Sequence, residues 1–271
     1  GGGGNFGVAS QLTFDLHELP AFSVALLIWP AEAGRDLTLA YRDLFEGAPD
    51  ELGGALLYIT GPPEEFVPEN LQDELVSGAL VTHCGPEDEM RELIAPLLEL
   101  SPEGEMIAEM PYAELQCMID DPPGFRNYWS AEYVTELPDQ AIDLFCERAQ
   151  DMVVPSPSQH ILFPEGGAVA RNGDDSPLAT RSAPWAVHPL GLWEKAADDE
   201  RAIRWAREMC ADMKPWAIGA TYLNFVGDEG EERIISSYGR ENYERLAAVK
   251  GEFDPDNVFH LNHPIRPLTT A

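Results

Sequence analysis

Ser23-Val24-Ala25-Leu26-Leu27-Ile28-Trp29 is the stretch on which the fold turns. It is continuously apolar, has the length of a buried strand, and falls far short of the roughly 18 apolar residues that a membrane span needs. No basic segment leading into an apolar one is visible, so no secretory leader is expected and the chain reads as soluble and cytoplasmic. Working outward, residues 37–45 have helical spacing, and residues 55–60 and 78–83 read as strands. Residues 86–100 read as one helix, with proline in the first turn and Met90, Ile94, Leu97 and Leu98 at helical spacing. Residues 127–134 alternate as a strand, and residues 138–152 form an amphipathic helix with Ile142, Leu144, Phe145, Ala149 and Met152 as its apolar stripe. Further strands are expected at 159–163, 168–171 and 185–192, and a helix at 197–213 with Asp198 and Asp199 near its positive end. At the start, Gly1-Gly2-Gly3-Gly4-Asn5-Phe6-Gly7 leads into residues 8–16, which alternate as a half-buried strand. Many separate strands interleaved with helices, without strict parallel alternation, predict an α+β fold: an antiparallel sheet covered by helices on one face.

Composition narrows the partners. Asp and Glu number 48 against 17 Lys and Arg, a formal net charge of -31 over 271 residues. Such a surface repels phosphate backbones and anionic lipid, so neither nucleic acid nor membrane is an expected partner. The acids are scattered rather than gathered in a tail, as in an acidic proteome adapted to a salty, halophilic cytoplasm, where screening removes their repulsion. Cys84, Cys117, Cys146 and Cys210 show no C-x-x-C pair, and no histidine stands at zinc-finger spacing, so neither a disulfide nor a metal site is expected. No G-x-S-x-G elbow is present, and the glycine run is not followed by the G-K-[ST] of a phosphate loop.

The last fifth of the chain carries an ordered set of motifs. Thr221-Tyr222-Leu223-Asn224-Phe225 reads as a short strand, and two helical segments follow at 230–238 and 241–251. Then come Phe253-Asp254-Pro255-Asp256-Asn257-Val258-Phe259 and Asn262-His263-Pro264-Ile265-Arg266-Pro267. This succession resembles the C-terminal segment of berberine-bridge-enzyme-like FAD-linked oxidases, within the vanillyl-alcohol oxidase superfamily. The opening glycine run, Tyr128-Trp129, Ser156-Pro157-Ser158 and Gly166-Gly167-Ala168 resemble internal parts of the same family. The resemblance implies that residues 1–19 and 218–271 are pieces of an FAD-binding domain and that residues 20–217 are a substrate-binding domain. It implies FAD as cofactor, a small-molecule substrate, and an FAD-binding domain or subunit supplied by a region preceding Gly1, where the family's flavin-bonding His and Cys would lie. An apolar surface belonging to that absent part would favour a homo-oligomer or another masking contact.

In such an enzyme the flavin accepts a hydride, and the protein positions a substrate C–H and manages a proton. The resemblance implies that the base is often the second tyrosine of a Y-x-N-Y motif; here that position is Phe225, which has no exchangeable proton. Tyr222 remains as the candidate catalytic residue, sharing one strand face with Asn224 and not with Phe225. Candidate cofactor contacts are Gly3, Gly4, Asn5, Phe6, Gly7, Asn224 and Asn262. Candidate substrate contacts are Tyr128, Gln159 and Arg181, with Tyr128 and Ser130, or Gln159 and Ile161, as alternate residues of a lid-like sheet. Other polar residues on expected strands, among them Trp129, Tyr133, His160 and His188, read as structural. Two functions remain open: an FAD-dependent oxidoreductase acting on an alcohol, sugar or related small molecule, or a non-catalytic binding or assembly module.

Overall fold

In the computed structural model, which describes residues 2–171 and 176–268, the apolar stretch becomes strand β1 (Ser23–Pro30) near one edge of a sheet. The other strands are β2 (Leu52–Thr60), β3 (Leu75–His83), β4 (Gly104–Glu109), β5 (Arg126–Trp129), β6 (Glu132–Val134), β7 (Gln159–Pro164) and β8 (Trp185–Trp193). Their order is β4-β1-β3-β2-β7-β8-β5, with β6 also paired to β8, and every pairing is antiparallel. The helices are α1 (Gly34–Glu46), α2 (Glu87–Leu93), α3 (Ala95–Leu98), α4 (Tyr112–Met118), α5 (Asp139–Ala149), α6 (Gly167–Arg171), α7 (Asp199–Met213), α8 (Glu231–Tyr238) and α9 (Arg240–Phe253).

Period-two alternation sorts each strand into two faces. Ala25, Leu27 and Trp29 of β1, Leu56 and Tyr58 of β2, Leu162 of β7 and Val187 of β8 meet Leu37 and Tyr41 of α1, Phe145 of α5 and Met209 of α7 in the main core. The α+β expectation of helices on one face is what forms. The opposite face is covered only in part. Near β1, Leu115 of α4 packs on Phe22 and Val24, and near β8 the segment 218–226 covers Tyr133 and Ala186.

The structure corrects several local expectations. Residues 8–16 form no strand; Val8, Leu12, Phe14 and Leu16 are exposed, and no neighbouring strand among the described residues offers them a ladder. The helix expected over 86–100 divides into α2 and α3, because Pro96 can neither donate to the preceding turn nor tolerate its carbonyl. The strand expected over 127–134 is interrupted at Ser130-Ala131, giving β5 and β6. Residues 168–171 lie in helix α6, not a strand: Gly166 supplies the carbonyl that accepts from Val169. Residues 223–225 form a single helical turn closed by Phe225 N–H donating to the Tyr222 carbonyl at 2.8 Å, so Tyr222-to-Phe225 does not alternate as a strand would. Strand β4 and helix α4 went unanticipated, since β4 mixes Glu105 and Glu109 with a few apolar residues at an edge.

Candidate functional site

The two ends of the described chain meet. Asn5 is buried; its amide donates to the carbonyls of Gly2 (2.9 Å) and His263 (3.2 Å) and accepts from Ile265 N–H at 2.9 Å. Lys250 of α9 is fully buried, and its ammonium donates at 2.7 Å to the Asn5 carbonyl, the Asp254 carboxylate and the Phe259 carbonyl. A buried ammonium is tolerable only when paired and fully hydrogen-bonded, and here all three protons have an acceptor. Asp254 also accepts from the backbone N–H groups of Val258 and Phe259, so lysine followed four residues later by D-P-x-N-x-F is one closed polar knot. Lys250, aided by those N–H groups, holds the Asp254 carboxyl down at about 2. Around the knot Phe6 packs with Leu223, Val226, Ile234, Tyr238, Ala247 and Ile265 in a small second core.

Beside this platform lies the less-covered sheet face. Directly paired residues share a face, which places Ile161 opposite His188, Gln159 opposite Leu190, and Phe163 and Tyr133 opposite Ala186. The tail turn lays Phe225 flat on the His188 ring, with centroids 4.3 Å apart and planes 16° from parallel. Phe163 stacks on the same pair, and Tyr222 meets Phe225 edge-on at 5.1 Å. Tyr133 is held by Glu165, and burial raises both above their ordinary values. At the seam with the tail, Ser130 donates to Glu229 at 2.5 Å, and Arg233 pairs with Glu229 and with buried Glu132.

The sequence candidates divide among these places. Asn5 and Phe6 join the tail at the knot, whereas Gly3, Gly4 and Gly7 are exposed beside it. Asn224 donates to the Tyr222 hydroxyl at 2.7 Å, which makes that hydroxyl an acceptor there and leaves its own proton free to point elsewhere. Asn224 and Asn262 line one groove of about 800 Å³ with Tyr128, Trp129, His260 and His263. The Tyr128 ring itself, paired opposite Gly191, lies on the helix-covered side, under the Arg207 guanidinium at 5.2 Å. Gln159 is on the less-covered face and donates to Asp121, while Arg181 donates to the Val169 carbonyl, away from the groove. Sequence reasoning set His188 and Tyr133 aside as structural; Phe225 standing where a base is implied was the signal pointing to its neighbours.

A planar heteroaromatic cofactor fits these residues. A Cβ added at Gly4 or Gly7 would meet nothing within 4 Å, so the described residues leave a bare strip of backbone there. Asn224 and Asn262 offer amide donors and acceptors to ring carbonyls, and Phe163 and Phe225 offer flat apolar surface. Among the described residues no group of three or more His, Cys, Asp or Glu is placed to hold a metal ion.

Comparison with known proteins agrees with that chemistry. Residues 221–266 match the family described as "Berberine and berberine like". The uncharacterized FAD-linked oxidoreductase YgaK of Bacillus subtilis (strain 168) is 26% identical over 277 residues, covering 99% of this chain and 58% of the relative. (R)-6-hydroxynicotine oxidase of Paenarthrobacter nicotinovorans is 26% identical over 98% of this chain and 59% of its own length. The crystal structure of 6-hydroxy-D-nicotine oxidase from Arthrobacter nicotinovorans superposes with a TM-score of 0.80 at 25% identity, over 98% of this chain and 59% of that one. The chain is similar to berberine-bridge-enzyme-like proteins. The berberine-like segment is the platform itself: it holds the Tyr222 turn, α8, α9, the Lys250–Asp254 knot and the Asn262-to-Ile265 return. Berberine bridge enzyme in complex with (S)-reticuline shares the fold, with a TM-score of 0.72 at 18% identity over 91% of this chain and 55% of that one. The chain thus spans a little under three fifths of the length of these relatives.

Proposed function

We propose that this chain forms the sheet and platform of an FAD-dependent oxidoreductase acting on an alcohol, sugar or related small molecule. The carrying observation is the knot that ties the glycine segment to the berberine-like tail beside a partly open sheet face. Bound FAD would supply the acceptor for a hydride from a substrate carbon. This chain's residues do the rest: Gly4 and Gly7 leave room for a flat ring, and Asn224 and Asn262 hydrogen-bond polar ring edges. Phe163, Phe225 and Ile161 keep water from the reacting carbon. On this reading residues 1–19 and 218–271 belong with an FAD-binding domain, and residues 20–217 form the substrate-binding domain. The complete gene product, purified as expressed, should absorb near ~450 nm as an oxidised flavin does. Anaerobic benzyl alcohol or glucose should bleach that band. Colourless protein that also fails to take up added FAD contradicts the proposal.

A second reading, a non-catalytic binding or assembly module, draws on Phe225 in place of a base and on the exposed Val8, Leu12, Phe14, Val258 and Leu261. It predicts a flavin-free complete protein whose assembly state depends on those side chains.

A further inference from the structure

We propose that His188 is the proton acceptor for the substrate hydroxyl, fixed in a single tautomer by the proline that follows it; this rests on the oxidoreductase reading. The argument begins in the ladder between β5, β6 and β8. Ser130 stands opposite Pro189, and its N–H donates to the Pro189 carbonyl at 3.3 Å. In an antiparallel hydrogen-bonded pair the partner returns a bond from its own N–H. Proline has none, so the Ser130 carbonyl is left without its ladder donor. The neighbouring side chain supplies it: His188 Nδ1 lies 2.9 Å from that carbonyl. A carbonyl only accepts, so Nδ1 carries the hydrogen and Nε2 carries the lone pair.

The lone pair is placed for use. Nε2 has no partner among the described residues, yet it is not among the sealed, unpartnered atoms of the interior, as His160 Nδ1 is. The ring shares its sheet face with Ile161 and stacks on Phe225, the position where the family resemblance implies a tyrosine base. Base and aromatic wall have exchanged places: the imidazole comes from the sheet, the inert ring from the tail. The other described histidines are differently occupied. His160 lies between Phe145 and Trp205 in the core, His83 is buried beside Glu89, His260 and His263 face backbone carbonyls of the tail, and His17 is exposed in the segment before β1.

The titratable groups on elements packed around His188 are Tyr133 of β6, Tyr222 of the tail turn, Cys210 of α7 and, across Ser130, Glu229 and Arg233. Burial governs, opposed by the Ser130 carbonyl, and lowers His188 to about 4, so the imidazole is neutral at pH 7. A base this weak does not hold an alcohol proton in advance. Proton and hydride therefore leave together: the O–H proton passes to Nε2, and the C–H bond breaks with its electron pair going to the flavin. The C=O bond forms, the alcohol is oxidised by two electrons, and the imidazolium releases its proton to water before the next turnover.

The test uses the complete flavin-loaded protein with benzyl alcohol or glucose, followed by anaerobic bleaching near ~450 nm. His188→Ala should slow bleaching by roughly 10²–10⁴-fold with little change in KM. His188→Gln keeps an amide donor for the Ser130 carbonyl and should be equally slow while folded, which separates loss of the base from loss of structure. Adding Phe225→Tyr to His188→Ala should restore part of the rate and move the acid limb of the pH profile from near 4 toward ~10, the phenol range. Nitrogen-15 NMR should show His188 neutral at pH 7 with its hydrogen on Nδ1, and Pro189→Ala should loosen that preference. Unchanged bleaching in His188→Gln, or a hydrogen on Nε2, overturns the assignment alone. Wild-type holoprotein that neither alcohol bleaches overturns this and the oxidoreductase reading together.

Discussion

Replacing Lys250 by Met removes one charge, strands two carbonyls and leaves Asp254 with only its backbone donors. The Asn5 and Phe259 carbonyls lose their donor and Asp254 loses its counter-ion inside a closed knot. Breaking a buried pair from one side costs roughly 3 kcal/mol or more. Urea unfolding of Lys250→Met should show a clearly lower midpoint with little change in slope, and a midpoint matching wild type would mean the knot contributes nothing. The interior imidazoles set a second expectation. His160 is held near 3 and His188 near 4, both by burial, against an ordinary value of 6.5. Between those limits the unfolded chain binds more protons than the folded one, so stability present at neutral pH is lost as pH falls from about 6.5 toward 4. Each unit of that window costs about 1.4 kcal/mol per imidazole. A urea midpoint that stays flat from pH 7 to pH 4 would contradict this, and His188→Gln should shallow the slope. Phe225 was legible in the sequence as a base position without a base. His188 was not, because a missing ladder donor becomes visible only once the strand facing Pro189 is known.

At the scale of elements, what could be read was what a single strand or helix declares by itself. The apolar runs of β1, β2, β3, β7 and β8 and the stripes of α1, α5 and α7 lie within a few residues of their expected bounds. Expectations failed where a neighbour decides. Residues 8–16 alternate correctly but have nothing beside them, and residues 223–225 curl so that Tyr222 and Phe225 can pack on β8. The Pro96 break was readable and was missed because apolar spacing continues across it. Packing between elements also makes Gly34 sensitive. It begins α1, and a Cβ there would lie 1.8 Å from the Tyr58 hydroxyl on β2. Alanine has the higher helix propensity by about 1 kcal/mol, yet overpacking of this kind costs ~1–3 kcal/mol. Gly34→Ala should therefore lower the urea midpoint, and a stabilised variant would show that α1 can move away from the sheet.

For the molecule as a whole, the net charge of -31 is a repulsion that every fold contact works against. Salt shortens the Debye length from about 10 Å at 0.1 M to about 3 Å at 1 M, so Tm should rise steadily with KCl across that range. A Tm that falls or stays level would count against a chain suited to salty surroundings. Among the described residues no helix is long and apolar enough to cross a membrane.

The union of Asn5 with Ile265 and Lys250 has a topological consequence. Everything from Phe6 to Pro264 is one loop that leaves and re-enters at a single point. Such a body can be a guest in a longer polypeptide: a host need part by only a few ångströms to admit it. It follows that a short glycine linker joining the two ends, with new termini opened in the exposed residues near Leu12, should yield a circularly permuted protein with the same sheet.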